Sequence, residues 1–239
     1  MPKGNAPLLF LIVSALIVVT GVILFLENNK KSPTQTAFNK TVGGDCVSPV
    51  KFTHHFTDVN TITSIIPPVF RNNRGTMPTT LLNIKGRVPL YMPISGMLIQ
   101  GSYHNEQGSQ FYMWETDVGC GVTVVFDHVT EPVEKIKNLF PAIPRDDSRT
   151  DLFNTPLEMT AGELVGYTTG SVNAHNWNFA VYDSSERNYL WGREEFKNLP
   201  KYYTQVCPFS YYDPSMAKVY EERFVSTFND ISVEKNLCE

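Results

Sequence analysis

Few side chains in this sequence are equipped for chemistry, and most of them are histidines, asparagines and acids in its middle portion. His54 and His55 adjoin, so in a strand they face opposite ways and do not easily share one metal. Either would need His128 or His175, far along the chain, to complete a site. His128 follows Asp127 at the end of an apolar run. It is either a binding or catalytic group held by Asp127, or a histidine packed at a strand end with its hydrogen bonds satisfied. Asn176 and Asn178 are two residues apart, which puts both amides on one face of a strand, where they can bond each other, the backbone or a ligand. Glu106, Glu115, Asp117 and Asp127 offer the raw material of a carboxylate pair. Nothing in their spacing fixes a separation, so they are read as solvated strand and turn positions. His104, beside Asn105 and Gly108, is expected in an exposed hairpin turn. No serine elbow, phosphate loop or dinucleotide fingerprint occurs.

The elements that must position these groups read as mostly β. Leu90–Met92, Gly96–Ile99, Gln110–Trp114, Gly121–Phe126, Glu163–Tyr167 and Trp177–Tyr182 are short strand signals bounded by Gly and Pro, as in a sandwich or barrel. In the last of them Trp177, Phe179 and Val181 share one face, leaving Asn178, Ala180 and Tyr182 on the other. The stretch 47–90 is dense in turn residues. Helical spacing is expected over Glu131–Leu139 and, more strongly, over Ser215–Phe228. Arg145–Asp151 reads as a charged loop. Tyr202, Tyr203, Tyr211 and Tyr212 line a groove or, by the favoured reading, pack the terminal helix onto the strands.

Pro7 to Leu26 carries no charged residue. A helix of about 20 apolar residues spans roughly 30 Å of hydrocarbon, so this run is expected to be an uncleaved transmembrane signal-anchor. A tail precedes it at 1–6, and a polar stalk follows at 27–45. The β domain is expected over 46–190, and an aromatic segment with a helix over 191–239. Cys46, Cys120, Cys207 and Cys238 are an even set with no C-x-x-C pair, expected to form two structural disulfides in an oxidising compartment, with the pairing open. The globular part is therefore expected outside the cytoplasm, on a single-pass protein of the cell membrane. A net charge of −4 with no basic run excludes a nucleic-acid partner.

Four segments in order carry a resemblance. VPLYMPISGM (88–97) resembles a "pVyAPxdGxV" strand and turn, TVVFDHV (123–129) a "tlYaHL" strand, MTAGELVG (159–166) "VkaGqxIG", and NWNFAV (176–181) "HLHFEV". Together, over 88–183, they resemble the lysostaphin-type zinc metallopeptidases. The resemblance implies a barrel-sandwich hybrid fold with a duplicated motif, related to lipoyl and biotinyl domains. Active members hold zinc with a His and an Asp upstream of the first strand and the second His of the HLH triplet. Here 67–100 contains no His, Asp or Glu, and that second His corresponds to Asn178. The first His of the triplet, which assists catalysis, corresponds to Asn176, and only His128 is kept. An amide oxygen is a poor zinc donor, and without zinc nothing lowers the pKa of water toward 7.

No cofactor is therefore expected. The chain reads as a degenerate, non-catalytic module that binds an envelope polymer, a peptide or a surface protein with Asn176, Asn178 and His128. Two other readings stay open. One is an active metalloendopeptidase with displaced ligands, using His54 or His55 with His128 and His175. The other is a purely structural envelope protein.

Overall fold

The structure is a computed structural model that describes residues 48–239. The expected span at 7–26, the stalk at 27–45 and Cys46 lie outside the described residues. Among the described residues no helix is long and apolar enough to cross a membrane.

The elements in chain order are β1 (Ile62–Ile66), β2 (Phe70–Asn72), β3 (Gly75–Met77), β4 (Thr80–Ile84), β5 (Val88–Tyr91), β6 (Gly96–Glu106), β7 (Ser109–Asp117), β8 (Val122–Val129), β9 (Glu131–Pro132), α1 (Glu134–Lys137), β10 (Asp151–Met159), β11 (Leu164–Thr168), β12 (Asn176–Asp183), α2 (Pro200–Thr204), β13 (Gln205–Val206), α3 (Pro214–Glu221), β14 (Thr227–Phe228) and β15 (Ile231–Val233). As expected, the fold is mostly β. The large sheet runs β1-β4-β12-β8-β7-β6-β10, with β13 on β12, and its pairings are antiparallel. A second sheet runs β5-β11-β9 and a third β14-β15-β2-β3.

The alternation read in β12 sets the layers. Trp177, Phe179 and Val181 enter one continuous core with Trp114 and Phe126 of the neighbouring strands, Val88 and Leu90 of β5, Val165 of β11 and Tyr220 of α3. Phe56 stacks on Phe179 (ring centroids 4.1 Å) and on Tyr220 (4.8 Å), with Trp177 edge-on at 5.8 Å. Tyr211 and Tyr212 pack on Phe52 and Tyr212 on Tyr220 of α3, so Tyr212 packs the terminal helix as expected, whereas Tyr202 stacks on Phe196 and Tyr203 packs on Trp191 in a separate apolar cluster. On the other side of the large sheet, Ile66 and Leu81 join Phe70 of β2 in a smaller apolar cluster, with Phe228 and Ile231 against it. The third sheet is thereby attached to the outer face. At the bend after Pro93, a Cβ on Gly96 would lie 2.6 Å from the Asp117 carbonyl, so only glycine lets β6 start so close to β7.

Several local expectations need correction. The helix expected over Ser215–Phe228 stops at Glu221. Beyond it the backbone pairs with β1, through Ile65 N–H to the Arg223 carbonyl and Val225 N–H to the Ile65 carbonyl. That pairing, with Phe224 against Phe209, overrides the helical spacing of Phe224 and Phe228. The helix expected over Glu131–Leu139 shrinks to α1, because Glu131–Pro132 adds to β11 and Val133 N–H donates to the Val165 carbonyl. The turn-dense stretch before Leu90 holds β1 to β4. Glu115 is not solvated but buried, with Lys201 as its ion-pair partner. Of the cysteines, Cys207 pairs with Cys238, and Cys120 is also disulfide-bonded.

Phe56 lies between the two aromatic layers and is fully buried. Phe56→Ala is expected to lower stability by about 3–5 kcal/mol, the usual cost of emptying such a site, measured by urea unfolding followed through tryptophan emission.

Candidate functional site

Where β12 shows its polar face, a groove of about 590 Å³ opens over the large sheet. Its floor is Asn176 and Asn178 of β12, Leu81 of β4 and Asp127 and His128 of β8. The third sheet, the tip of the β6–β7 hairpin and the turn before β12 form its walls. The structure thus brings Asn176, Asn178 and His128 together, as the strand pattern implies.

Asp127 and His128 are consecutive yet both line the groove, which an ordinary strand forbids. The register explains it. Tyr112 pairs with Val129 and Trp114 with Phe126, so β8 carries one residue more than β7 across this step. His128 takes up the extra residue with φ at +61°, the left-handed region, at a cost of about 1–2 kcal/mol for a side chain of this kind. Its N–H is capped by Asp127 Oδ1 (2.7 Å), and its carbonyl accepts from buried Thr168 Oγ1 (2.6 Å). The same Thr168 oxygen accepts the Gly170 N–H. Gly170 opens the turn into β12, and a Cβ there would lie 2.6 Å from Asn176 N. Ser171 Oγ then donates to Asn176 Oδ1 (2.7 Å), which fixes that amide.

The His128 ring is clamped between acids. Nε2 lies 3.2 Å from Glu106 Oε2 and Nδ1 3.4 Å from Asp127 Oδ2, while the Phe111 ring packs against it at 4.9 Å. Arg74, from the β2–β3 turn, reaches Glu106 at 2.7 Å, so charges alternate Arg74, Glu106, His128, Asp127. Burial opposes charge on His128, but the Asp127 carboxylate and the hydrogen bonds to Asp127 and Glu106 outweigh it and push its pKa up to about 10. The hydrogen bond from His128 holds Glu106 down to about 2, against burial. Burial also opposes ionisation of Asp127, yet the His128 charge holds it at about 2. His104 corrects the sequence reading. It is buried on β6, not in the hairpin turn, with Nδ1 3.0 Å from Ser102 Oγ, and burial lowers its pKa. The reversal itself is made by Gln107 and Gly108, both at positive φ.

Asn178 is 8% exposed, and its amide nitrogen lies 3.3 Å from His128 Nδ1 and 3.5 Å from Asp127 Oδ2. A protonated ring donates at Nδ1, so the Asn178 NH₂ donates to Asp127 Oδ2 and not to the ring. Asn178 Oδ1 is buried and meets no partner among the described residues. Asn178 thus leaves one buried acceptor unpaired at the groove floor.

Zinc, which the resemblance implies for active members, does not fit this donor set. Asn178 offers a neutral amide, Asp127 is committed to His128, and a doubly protonated imidazole has no lone pair. Among the described residues no three His, Cys, Asp or Glu side chains are placed to hold a metal ion. His54 and His55 are not brought to the groove: His54 lies over Gly162, and His55 Nδ1 is 2.9 Å from Tyr220 Oη. His175 sits in the turn before β12 at positive φ. Sequence reading missed Arg74, Glu106, His104 and Phe111 as groove residues. The one local signal was the polar pair Asp127–His128 ending an otherwise apolar alternation.

The clamp makes a pH-dependent contribution. The raised pKa of His128 gives stability that is full below its ordinary 6.5 and is lost as pH rises through about 10. The depressed acids give stability that is full above their ordinary values and is lost as pH falls through about 2. The His128 ring resonances in NMR are therefore expected to stay at the imidazolium position between about pH 5 and 8, where an ordinary histidine titrates. His128→Asn tolerates positive φ but takes the counter-charge from Asp127 and leaves Glu106 with Arg74 alone, so it is expected to cost roughly 1.5–3 kcal/mol at neutral pH. A mid-range titration of His128 would refute the clamp.

The sequence matches no family model and no curated protein. Among solved structures it is similar to the SpoIIQ–SpoIIIAH pore-forming complex, with a TM-score of 0.41, 9% identity, and coverage of 68% of this chain and 91% of that one. It is similar to Helicobacter pylori Csd3 with a TM-score of 0.38 and 11% identity over 72% of this chain and 40% of that one. Lysostaphin, solved in solution by NMR, gives a TM-score of 0.34 and 14% identity over 69% of this chain and 51% of that one.

Proposed function

We propose that this chain is a membrane-anchored, extracytoplasmic module of lysostaphin-peptidase-like, barrel-sandwich hybrid type that binds and does not hydrolyse. Its ligand is an envelope polymer, a peptide or a surface protein, held over Asn176, Asn178 and His128. The four resembling segments fall on β5 with the bend into β6, on β8, on β11 and its preceding turn, and on β12, and β12 pairs directly with β8.

The observation that carries the reading is the clamped His128. A general base needs a free lone pair, and a nucleophilic water needs a metal or such a base beside it. Here both ring nitrogens are committed to acids, and the facing side chains are neutral amides. The two amides offer hydrogen bonds in both directions, and the charges beside them are already matched, which suits an amide- or hydroxyl-rich ligand.

Two measurements test this. Full-length protein purified without chelator is expected to contain far less than one zinc per chain by mass spectrometry. Near-stoichiometric zinc that His128→Asn abolishes would restore the peptidase. Replacing Asn176 and Asn178 together by Ala is expected to weaken sedimentation with isolated envelope material by about tenfold, the effect of about 1.4 kcal/mol. Unchanged sedimentation would leave a purely structural role.

A further inference from the structure

The two amides at the groove floor are oriented by their neighbours. Asn176 Oδ1 is taken by the Ser171 hydroxyl, and the Asn178 NH₂ donates to Asp127. What remains for a ligand is the Asn176 NH₂ as donor and Asn178 Oδ1 as acceptor. The acceptor is the more demanding of the two. Asn178 is 8% exposed, and a ligand donor seated against it relieves a buried oxygen that has no other partner among the described residues.

Beside Asn178 the groove turns apolar. Leu81 lies directly across from it on β4, on the same face of the sheet. Leu81 packs with Phe70 of β2 and Ile231 of β15, and all three line the groove. Ile231 follows Asp230, which lines the groove from the turn between β14 and β15. From floor to wall the order is therefore amide acceptor, apolar strip, carboxylate. Asp230 is exposed, and no cation among the described residues pairs with it. The other charges lining the groove balance one another in the row from Arg74 to Asp127. Asp230 is thus the charge a ligand can still match, whereas a ligand carboxylate would have to displace Glu106 from Arg74.

We propose that the groove, on the binding reading given above, takes a peptide segment through a lysine-type side chain. The backbone N–H of that residue meets Asn178 Oδ1, its stem lies along Leu81, Phe70 and Ile231, and its ammonium pairs with Asp230. A lysine matches the order found here: an amide at one end, a four-carbon stem that covers apolar surface, and a compact charge that stays at the wet rim. An amino sugar brings the ammonium without the stem and leaves the apolar strip uncovered. A neutral alkyl side chain covers the strip and leaves Asp230 unmatched.

The test is an NMR titration of isotope-labelled full-length protein in a zwitterionic detergent, read at the side-chain amides of Asn176 and Asn178. The probes are acetyl-glycyl-lysyl-glycine amide, the same peptide with norleucine in place of lysine, and glucosamine. At low ionic strength the lysine peptide is expected to bind about two- to fivefold more tightly than the norleucine peptide, the size of one exposed ion pair, and the difference is expected to shrink in high salt. Asp230→Asn is expected to bring the two peptides to the same affinity. Equal affinities for the unaltered protein, or a lysine preference that Asp230→Asn retains, would overturn the lysine site while the amide floor still binds peptide. Glucosamine bound more tightly than the lysine peptide, and weakened by Asp230→Asn, would overturn it in favour of an amino-sugar site. If no probe shifts either amide, the lysine site is overturned. The binding reading falls with it only if the double replacement of Asn176 and Asn178 also leaves sedimentation with envelope material unchanged.

Discussion

Everything at the groove depends on one strand having two incompatible faces. β12 pairs with β4 on one side and β8 on the other, so its residues have no freedom to rotate. Burying Trp177 and Phe179 against Phe56 and Phe126 is worth several kcal/mol in removed apolar area. A one-residue slip would exchange those rings for asparagines in the core. The core therefore dictates that Asn176 and Asn178 point outward, and it places Asn178 directly across from Asp127.

The second constraint is the extra residue in β8. Without it, Asp127 and His128 would face opposite sides of the sheet. With it, both acids can grip one imidazole, and the left-handed backbone at His128 is compensated by the Asp127 cap and the Thr168 hydroxyl. The alternating row from Arg74 to Asp127 couples elements far apart in sequence: the β2–β3 turn, the β6–β7 hairpin and the end of β8. Each internal member has an opposite charge on both sides or a hydrogen bond to spare. Removing one leaves a half-buried charge without its counter-ion, which is costlier than never having had the pair.

Much of this was legible in the sequence, and the part that was not has a physical cause. Period-2 alternation named β12 and its two faces, and Gly and Pro marked most strand ends, because these signals are local. The burial of His104 and Glu115 is not legible in the sequence, because a polar residue in a strand gives no sign of what covers it. Their partners, Ser102 in one case and Lys201 in the other, come from the same strand two residues away or from a helix 86 residues on. The helical spacing runs past the end of α3 because Phe224 and Phe228 keep it while serving two different apolar clusters. The bulge in β8 left only the Asp127–His128 pair as a trace, and a register shift depends on the partner strand, which no single segment encodes.

The chemistry of the groove follows from the same geometry. A hydrolytic site must leave one group with an available lone pair and one charge not yet neutralised, because the transition state supplies the missing partner. The His128 environment is the reverse: the imidazolium is already matched by Glu106 and Asp127, and Glu106 is matched again by Arg74. The unmatched group at the floor is neutral, the Asn178 amide. A neutral amide gains little from a developing oxyanion, but it gains a full hydrogen bond from a ground-state ligand that reaches it, since that ligand relieves a buried unpaired group. On the proposed reading the groove thus rewards occupancy more than reaction, with the amide positioned by β12 and the bulge in β8.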